Sequence, residues 1–266
     1  MIPPVLLAGF GRMGSAMAAG WREMGLAPSV ALDPACPASP GPEITVVRSL
    51  AEIPAGFAPR AVILAVKPQV AAQVLPSLAR FTAAGSAHET VALSIMAGRT
   101  IAGIRALLGD VPVVRAMPNT PAAIRQGMTV ACAGPGVSAE ARALCTTLLE
   151  SVGTVAWVDD EALLDPVTAV SGSGPAYVFL LAEEMEKAAI EQGIPADLAR
   201  LMARRTVAGA GALLAASDED AAALRVAVTS PGGTTAAALQ VLMAEWPATV
   251  SRAIAAAARR SRELAG

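Results

Sequence analysis

Through the first 160 or so residues, short unbroken apolar runs alternate with stretches in which polar positions recur at helical spacing. Val5 to Ala8, Val30 to Leu32, Ile44 to Val47, Ala61 to Val66, Val91 to Ile95, Val111 to Arg115, Met128 to Ala131 and Thr154 to Val158 predict strands. Runs such as Ala61-Val62-Ile63-Leu64-Ala65-Val66 have no polar face, which a parallel sheet covered on both sides requires. Helices fit between them, including Ser15 to Met24 and Ser138 to Ser151; the latter opens on a serine N-cap with Glu140 in its first turn. The alternation predicts a doubly wound α/β domain over residues 1–159.

Beyond Asp159 no further strand is predicted, and Ala, Leu and Met dominate with charges at helical intervals. Pro175 to Gln192, stopped by Gly193, then Pro195 to Leu214 and Pro247 to Leu264 predict helices, giving an all-α second domain over residues 160–266. These helices, Ala196 to Ala216 especially, are apolar or small around much of their circumference, more than a lone surface helix needs. Completion of the core across a homodimer or higher homo-oligomer is the expectation. The Pro- and Gly-rich stretch from Pro34 to Pro42 reads as a loop.

Composition narrows the partners. A 266-residue chain that is 54% apolar suits one large or two ordinary domains. Twenty basic against 22 acidic residues leave a formal charge of −2, so no footprint for nucleic acid or an anionic membrane is present. No run reaches the roughly 20 apolar residues of a bilayer span, and the N-terminus lacks the basic region of a signal peptide; the expectation is a soluble, cytoplasmic protein. Cys36, Cys132 and Cys145 have neither disulfide nor zinc spacing. His88, the single histidine, reads as a solvated loop residue, so neither a His-based metal cluster nor a Ser-His-Asp triad is available.

Candidate chemistry begins at Gly9-Phe10-Gly11-Arg12-Met13-Gly14, a G-x-G-x-x-G lying between a predicted strand and a predicted helix. The first glycine permits the tight turn, the second lets backbone approach a pyrophosphate, and the third allows close packing, while the helix N-terminus offers N–H groups to the anion. Asp33 ends the next strand about 20 residues on, where a carboxylate accepts from a ribose 2′-hydroxyl. The competing reading is a ligand-free glycine turn with a loop-capping Asp. A carboxylate at position 33 favours NADH over NADPH, unless Arg12 reaches a 2′-phosphate.

Together with that loop, Ala65-Val66-Lys67-Pro68-Gln69, Ser94-Ile95-Met96-Ala97-Gly98, Arg115-Ala116-Met117-Pro118-Asn119-Thr120-Pro121, Ser171-Gly172-Ser173-Gly174-Pro175-Ala176-Tyr177 and Val228-Thr229-Ser230-Pro231-Gly232-Gly233-Thr234-Thr235 resemble the pyrroline-5-carboxylate reductase family over nearly the whole chain. The resemblance implies a Rossmann-type N-terminal domain, an all-helical C-terminal domain that interlocks with its partner's, and hydride transfer from NADPH or NADH to L-1-pyrroline-5-carboxylate. It implies that Ala65, Val66, Lys67, Pro68, Met96, Ala97 and Gly98 line the nicotinamide side of the cleft and that Ser49 approaches the adenosine ribose or phosphate. The chain departs from the family in one respect: Asp33-Pro34 stands where members commonly carry Ser or Asn with a nearby Arg.

A cyclic imine bearing a carboxylate requires a site that neutralises the anion and allows the nitrogen to gain a proton. Backbone N–H groups in a glycine-rich turn at a helix start do the first. Ser230, Gly232, Gly233 and Thr234 are the candidates around the carboxylate, and Thr235 the candidate hydrogen-bond partner of the ring nitrogen. An ordinary helix cap explains Ser230 and Pro231 but not the rest. Asp218 is a further substrate-site candidate, and Tyr177 reads equally as a packing residue. The alternatives are a related imine reductase or 3-hydroxyacid dehydrogenase, which would carry a catalytic lysine on a second-domain helix, disfavoured because Lys187, the only lysine there, lies outside any such motif, and a non-catalytic dinucleotide-binding regulator.

Overall fold

The computed structural model describes residues 1–35, 38–82 and 89–265; Cys36 and His88 lie outside the described residues. The first part of the chain runs β1 (Val5–Ala8), α1 (Arg12–Glu23), β2 (Ser29–Leu32), β3 (Ile44–Val47), β4 (Ala61–Leu64), α2 (Ala71–Leu78), β5 (Val91–Ser94), α3 (Ile101–Leu108), β6 (Val113–Met117), β7 (Gly127–Ala133), α4 (Ala139–Glu150) and β8 (Gly153–Val158). The eight strands form one sheet in the order β3-β2-β1-β4-β5-β6-β7-β8, parallel except for the antiparallel β6–β7 pair. The winding reverses between β1 and β4, so a crevice opens beyond their carboxyl ends. The doubly wound sheet expected from the apolar runs is the fold observed.

Side-chain alternation divides the core between the two faces. Val5 and Leu7 of β1 join one cluster with Met17 and Trp21 of α1 and Leu148 of α4, while Leu6 and Ala8 join the other with Leu75 and Leu78 of α2 and Ile104 of α3. Trp21 is fully buried, and its indole N–H donates to the Leu148 carbonyl at 2.7 Å, tying α1 to α4. Helix α4 starts as expected, the Ser138 hydroxyl accepting from the Ala141 N–H at 3.1 Å.

Among the described residues one charged side chain is buried in this apolar framework. Arg115 on β6 is 2% exposed, and its Nη1 reaches Glu161 Oε1 at 2.9 Å. The same carboxylate oxygen accepts from the Ile101 N–H at 2.8 Å, so Glu161 both neutralises Arg115 and caps α3. Cys132 lies opposite Arg115 in the β6–β7 register. Burial, then the carboxylates of Glu161 and Asp160, push its thiol up, and burial alone pushes Cys145 to about 12.

Two compact units emerge, one comprising Met1–Gly172 together with the residues from Ala257 onward, the other Ser173–Ala256. The expected boundary between residues 159 and 160 differs from this division for a packing reason. Leu164 on α5 (Leu164–Val167) and Ala169 in the following π-helical turn are fully buried, and the Ser261 hydroxyl donates to Asp165 Oδ1 at 2.6 Å.

The second unit contains α6 (Gly174–Glu191), α7 (Ala196–Ala216), α8 (Ala221–Ala227) and most of α9 (Thr234–Ala265). Pro247 does not begin a helix as its sequence context suggested; it lies inside α9. The apolar run after Thr235 and the C-terminal periodic stretch form one 32-residue helix, long enough to tolerate the bond that proline removes. Helix α6 has no buried residue and α7 only Ala199 and Ala203, while Phe179, Leu201, Val241 and Trp246 stay exposed. So much uncovered apolar surface marks an interaction face.

The Arg115–Glu161 pair yields a stability test. Removing one partner of a buried pair strands the other charge, so Glu161→Ala is expected to cost about 2–4 kcal/mol, reduced from the fully buried case because Glu161 is partly exposed. Adding Arg115→Met should recover part of that loss. Urea unfolding of the two variants checks both, and an unchanged midpoint for Glu161→Ala contradicts the assignment.

Candidate functional site

The crevice at the reversal of the sheet is built from backbone. Gly9 directly follows β1 with φ +96°, and a Cβ there would lie 2.6 Å from the Ala65 carbonyl oxygen beyond β4. A Cβ on Gly14 would run into the Gly9 carbonyl oxygen. Gly11 differs: open space surrounds its Cβ position, and it forms the N-cap of α1 without a side-chain hydrogen bond. The first N–H groups of α1 thus face an opening no side chain fills, a cradle suited to a pyrophosphate.

Asp33 follows β2 and fixes this loop. Its Oδ2 accepts from the Phe10 N–H at 2.7 Å, and its Oδ1 accepts from the Ala35 N–H at 2.8 Å. Expected as a ribose acceptor, with loop capping as the competing reading, the carboxylate holds the loop through both oxygens.

A groove of about 510 Å³ runs along this edge. Of the residues expected at a cofactor, Gly9, Gly11, Asp33, Ser49, Ala65, Val66 and Lys67 line it. Phe10, Arg12, Met13, Gly14 and Pro68 do not. Phe10 and Met13 pack against the core, Gly14 lies beneath the loop and Arg12 is exposed. Met96 is 2% exposed within the second core cluster, so its side chain is unavailable to a ligand. Ala97 is exposed, whereas Gly98 packs under the end of α9, where a Cβ would lie 3.0 Å from the Leu264 carbonyl oxygen.

Val70, Gln73 and Ser77 went unnoticed in the sequence, and Arg48, the next arginine after Asp33, read as too far along the chain to stand near it, yet all four line the groove. Periodicity marks α2 only as a helix, but the register Leu32↔Val47 would have placed Arg48 beside Asp33. Arg99 was missed too. Its Nε and Nη2 both donate to the Pro68 carbonyl, at 3.3 and 2.9 Å, tying the turn after β5 to the turn after β4.

In the second unit, the segment Ser230 to Thr235 forms an exposed turn into α9. Gly232 has φ +71°, the Gly233 N–H donates to the Ser230 carbonyl at 3.0 Å, and α9 starts at Thr234. Asp218 lies in the exposed loop between α7 and α8, with no hydrogen bond to that turn among the described residues. Lys187 is exposed on α6, and the Glu183 and Glu184 carboxylates at 2.7 and 2.8 Å hold its ammonium above the usual lysine range. No group of three or more His, Cys, Asp or Glu among the described residues is placed to hold a metal ion.

A family model described as pyrroline-5-carboxylate reductase dimerisation matches residues 161–264. Over 99% of its length the chain is 41% identical to the pyrroline-5-carboxylate reductase of Pseudomonas aeruginosa, covering 97% of that protein. The chain belongs to the pyrroline-5-carboxylate reductase family. Another pyrroline-5-carboxylate reductase, from Synechocystis, is 41% identical over 76% of the chain and 74% of its own length. Among solved structures, the pyrroline-5-carboxylate reductase of Coxiella burnetii aligns over 98% of both chains with a TM-score of 0.88 and 29% identity. The Plasmodium falciparum pyrroline carboxylate reductase, solved with NADP bound, aligns over 99% of both chains with a TM-score of 0.81 and 26% identity. The exposed apolar helices of the second unit fall within the segment matched by the dimerisation model.

The glycine geometry separates two effects. Gly11→Val should weaken dinucleotide binding more than about tenfold, because its side chain fills the cradle, while leaving the melting temperature unchanged. Gly14→Ala should instead lower the melting temperature by more than about 3 °C. Calorimetric titration and thermal unfolding measure these, and unimpaired binding by Gly11→Val removes the cradle from the site.

Proposed function

We propose that the chain reduces L-1-pyrroline-5-carboxylate to L-proline with NADPH or NADH as hydride donor, acting as a homodimer or higher homo-oligomer in the cytoplasm. The observation that carries this reading is the 41% identity to the P. aeruginosa reductase over 99% of the chain. The cradle at Gly11 supports the nucleotide part of it, the exposed apolar helices support the oligomer, and the free thiols of Cys132 and Cys145 fit a reducing compartment.

When bound, NAD(P)H would supply the hydride that reduces the carbon of the C=N bond. The loop from Gly9 to Gly14 and the start of α1 would hold its pyrophosphate, with Lys67 in the same groove contributing positive charge. The turn from Ser230 to Thr235 presents N–H groups and hydroxyls to the substrate carboxylate, and the Thr235 hydroxyl hydrogen-bonds the ring nitrogen. That nitrogen takes its proton from water or enters already protonated, because a cyclic imine is basic. No strong general acid is then needed, and positioning with fixed dipoles supplies the acceleration.

Loss of reduced-nicotinamide absorbance, followed with pyrroline-5-carboxylate as substrate, tests the activity; no substrate-dependent oxidation of either NADPH or NADH overturns it. Within that assay, Thr235→Ala is expected to reduce kcat at least about tenfold while the dinucleotide Kd stays within about twofold, with Thr235→Ser retaining most of the rate. An unchanged kcat removes Thr235 from the mechanism.

A further inference from the structure

The adenosine end of the groove holds Arg48, whose guanidinium makes no ion pair among the described residues. Hydrogen bonds from the Ser49 hydroxyl and the Arg48 N–H, and then the Arg48 charge, hold the Glu52 carboxyl below its usual range. Strands β2 and β3 are parallel with Leu32 opposite Val47, and the Asp33 N–H donates to the Val47 carbonyl at 3.0 Å. Asp33 and Arg48 therefore leave the sheet side by side, and both line the groove. They do not pair with each other. Both Asp33 oxygens accept main-chain N–H groups, and Arg48 is exposed with no ion pair among the described residues.

The turn carrying Arg48 is held from behind. Glu52 Oε2 accepts from the Arg48 N–H at 3.3 Å, and Glu52 Oε1 accepts from the Ser49 hydroxyl at 2.8 Å. The Ser49 hydroxyl, expected near the adenosine ribose or phosphate, thus spends its proton on Glu52. The Arg48 guanidinium remains as the donor group at this edge, and its fork of N–H groups matches a phosphate as neither a hydroxyl nor a carboxylate does. Asp33 alone would repel a 2′-phosphate, but its charge is drawn toward Phe10 and Ala35, and Arg48 stands next to it to offset the remainder.

We propose that Arg48 receives the 2′-phosphate of NADPH and is the residue that admits this dinucleotide to a groove whose Asp33 would otherwise confine it to NADH. The assignment rests on the reading of the groove as a dinucleotide site. It concerns only the adenosine ribose and leaves the nicotinamide chemistry untouched.

The test is calorimetric titration of NADP+ and NAD+, and of the fragments 2′,5′-ADP and 5′-AMP, into the wild-type protein, Arg48→Gln and Arg48→Lys. In Arg48→Gln, the Kd for NADP+ and 2′,5′-ADP should rise at least about tenfold while that for NAD+ and 5′-AMP stays within about threefold; Arg48→Lys should recover part of the loss. Because Arg48 is exposed, its replacement leaves the fold intact, which an unchanged melting temperature verifies. Equal weakening of both dinucleotides, no change in either, or a wild-type protein that binds NAD+ but not NADP+ overturns the assignment while leaving the dinucleotide reading in place. A wild-type protein that binds neither overturns both.

Discussion

The close approach of the β1 and β4 strand ends, where the sheet changes its direction of winding, is the constraint on which the site depends. Gly9 brings backbone against the Ala65 carbonyl at a distance that any side chain would prevent, and Gly14 lets α1 settle onto the same turn. Asp33 then closes the arrangement from the neighbouring strand by accepting the Phe10 N–H. With the loop held in this way, the unfilled space above Gly11 and the uncapped start of α1 become a fixed feature of the fold. An anion bound there meets donors that need little reordering, which is where preorganisation contributes most to affinity.

The surrounding contacts act on the same edge. Glu161 joins the buried Arg115 to the first turn of α3, and Arg99, just before that helix, reaches back to the Pro68 carbonyl. The turns after β4 and β5 are thereby bound to each other and to the sheet. Chemistry in the second unit rests on α9, whose first residues form the turn proposed to take the substrate carboxylate. The helices around it leave large apolar side chains exposed, as a chain that completes its core against a second copy must.

Most of the sheet was legible because parallel strands buried on both faces need uninterrupted apolar runs, and each such run became a strand. The antiparallel turn into β7 was not legible, since β7 is as apolar as its neighbours and pairing direction leaves little mark on composition. Pro247 misled for a local reason: proline is common at helix starts, and only the continuity of α9 shows it as an interior residue. At the site, glycine spacing identified the loop, but the anchoring of Asp33 by Phe10 and Ala35 depends on atomic geometry that no spacing rule encodes. Arg48 became visible only when strand register placed it beside Asp33, and Met96, read as a cleft residue, lies in the core.

If Asp33 primarily holds the glycine loop, removing its carboxylate must damage the binding of every dinucleotide, whatever its ribose carries. The measurement is calorimetric titration of NAD+ and NADP+ into Asp33→Ala. Both affinities should fall at least about tenfold, by factors within about threefold of each other, because the loop that both share is released. Weaker NAD+ binding accompanied by tighter NADP+ binding would contradict this, showing that Asp33 acts as a ribose discriminator on a loop that holds its shape unaided.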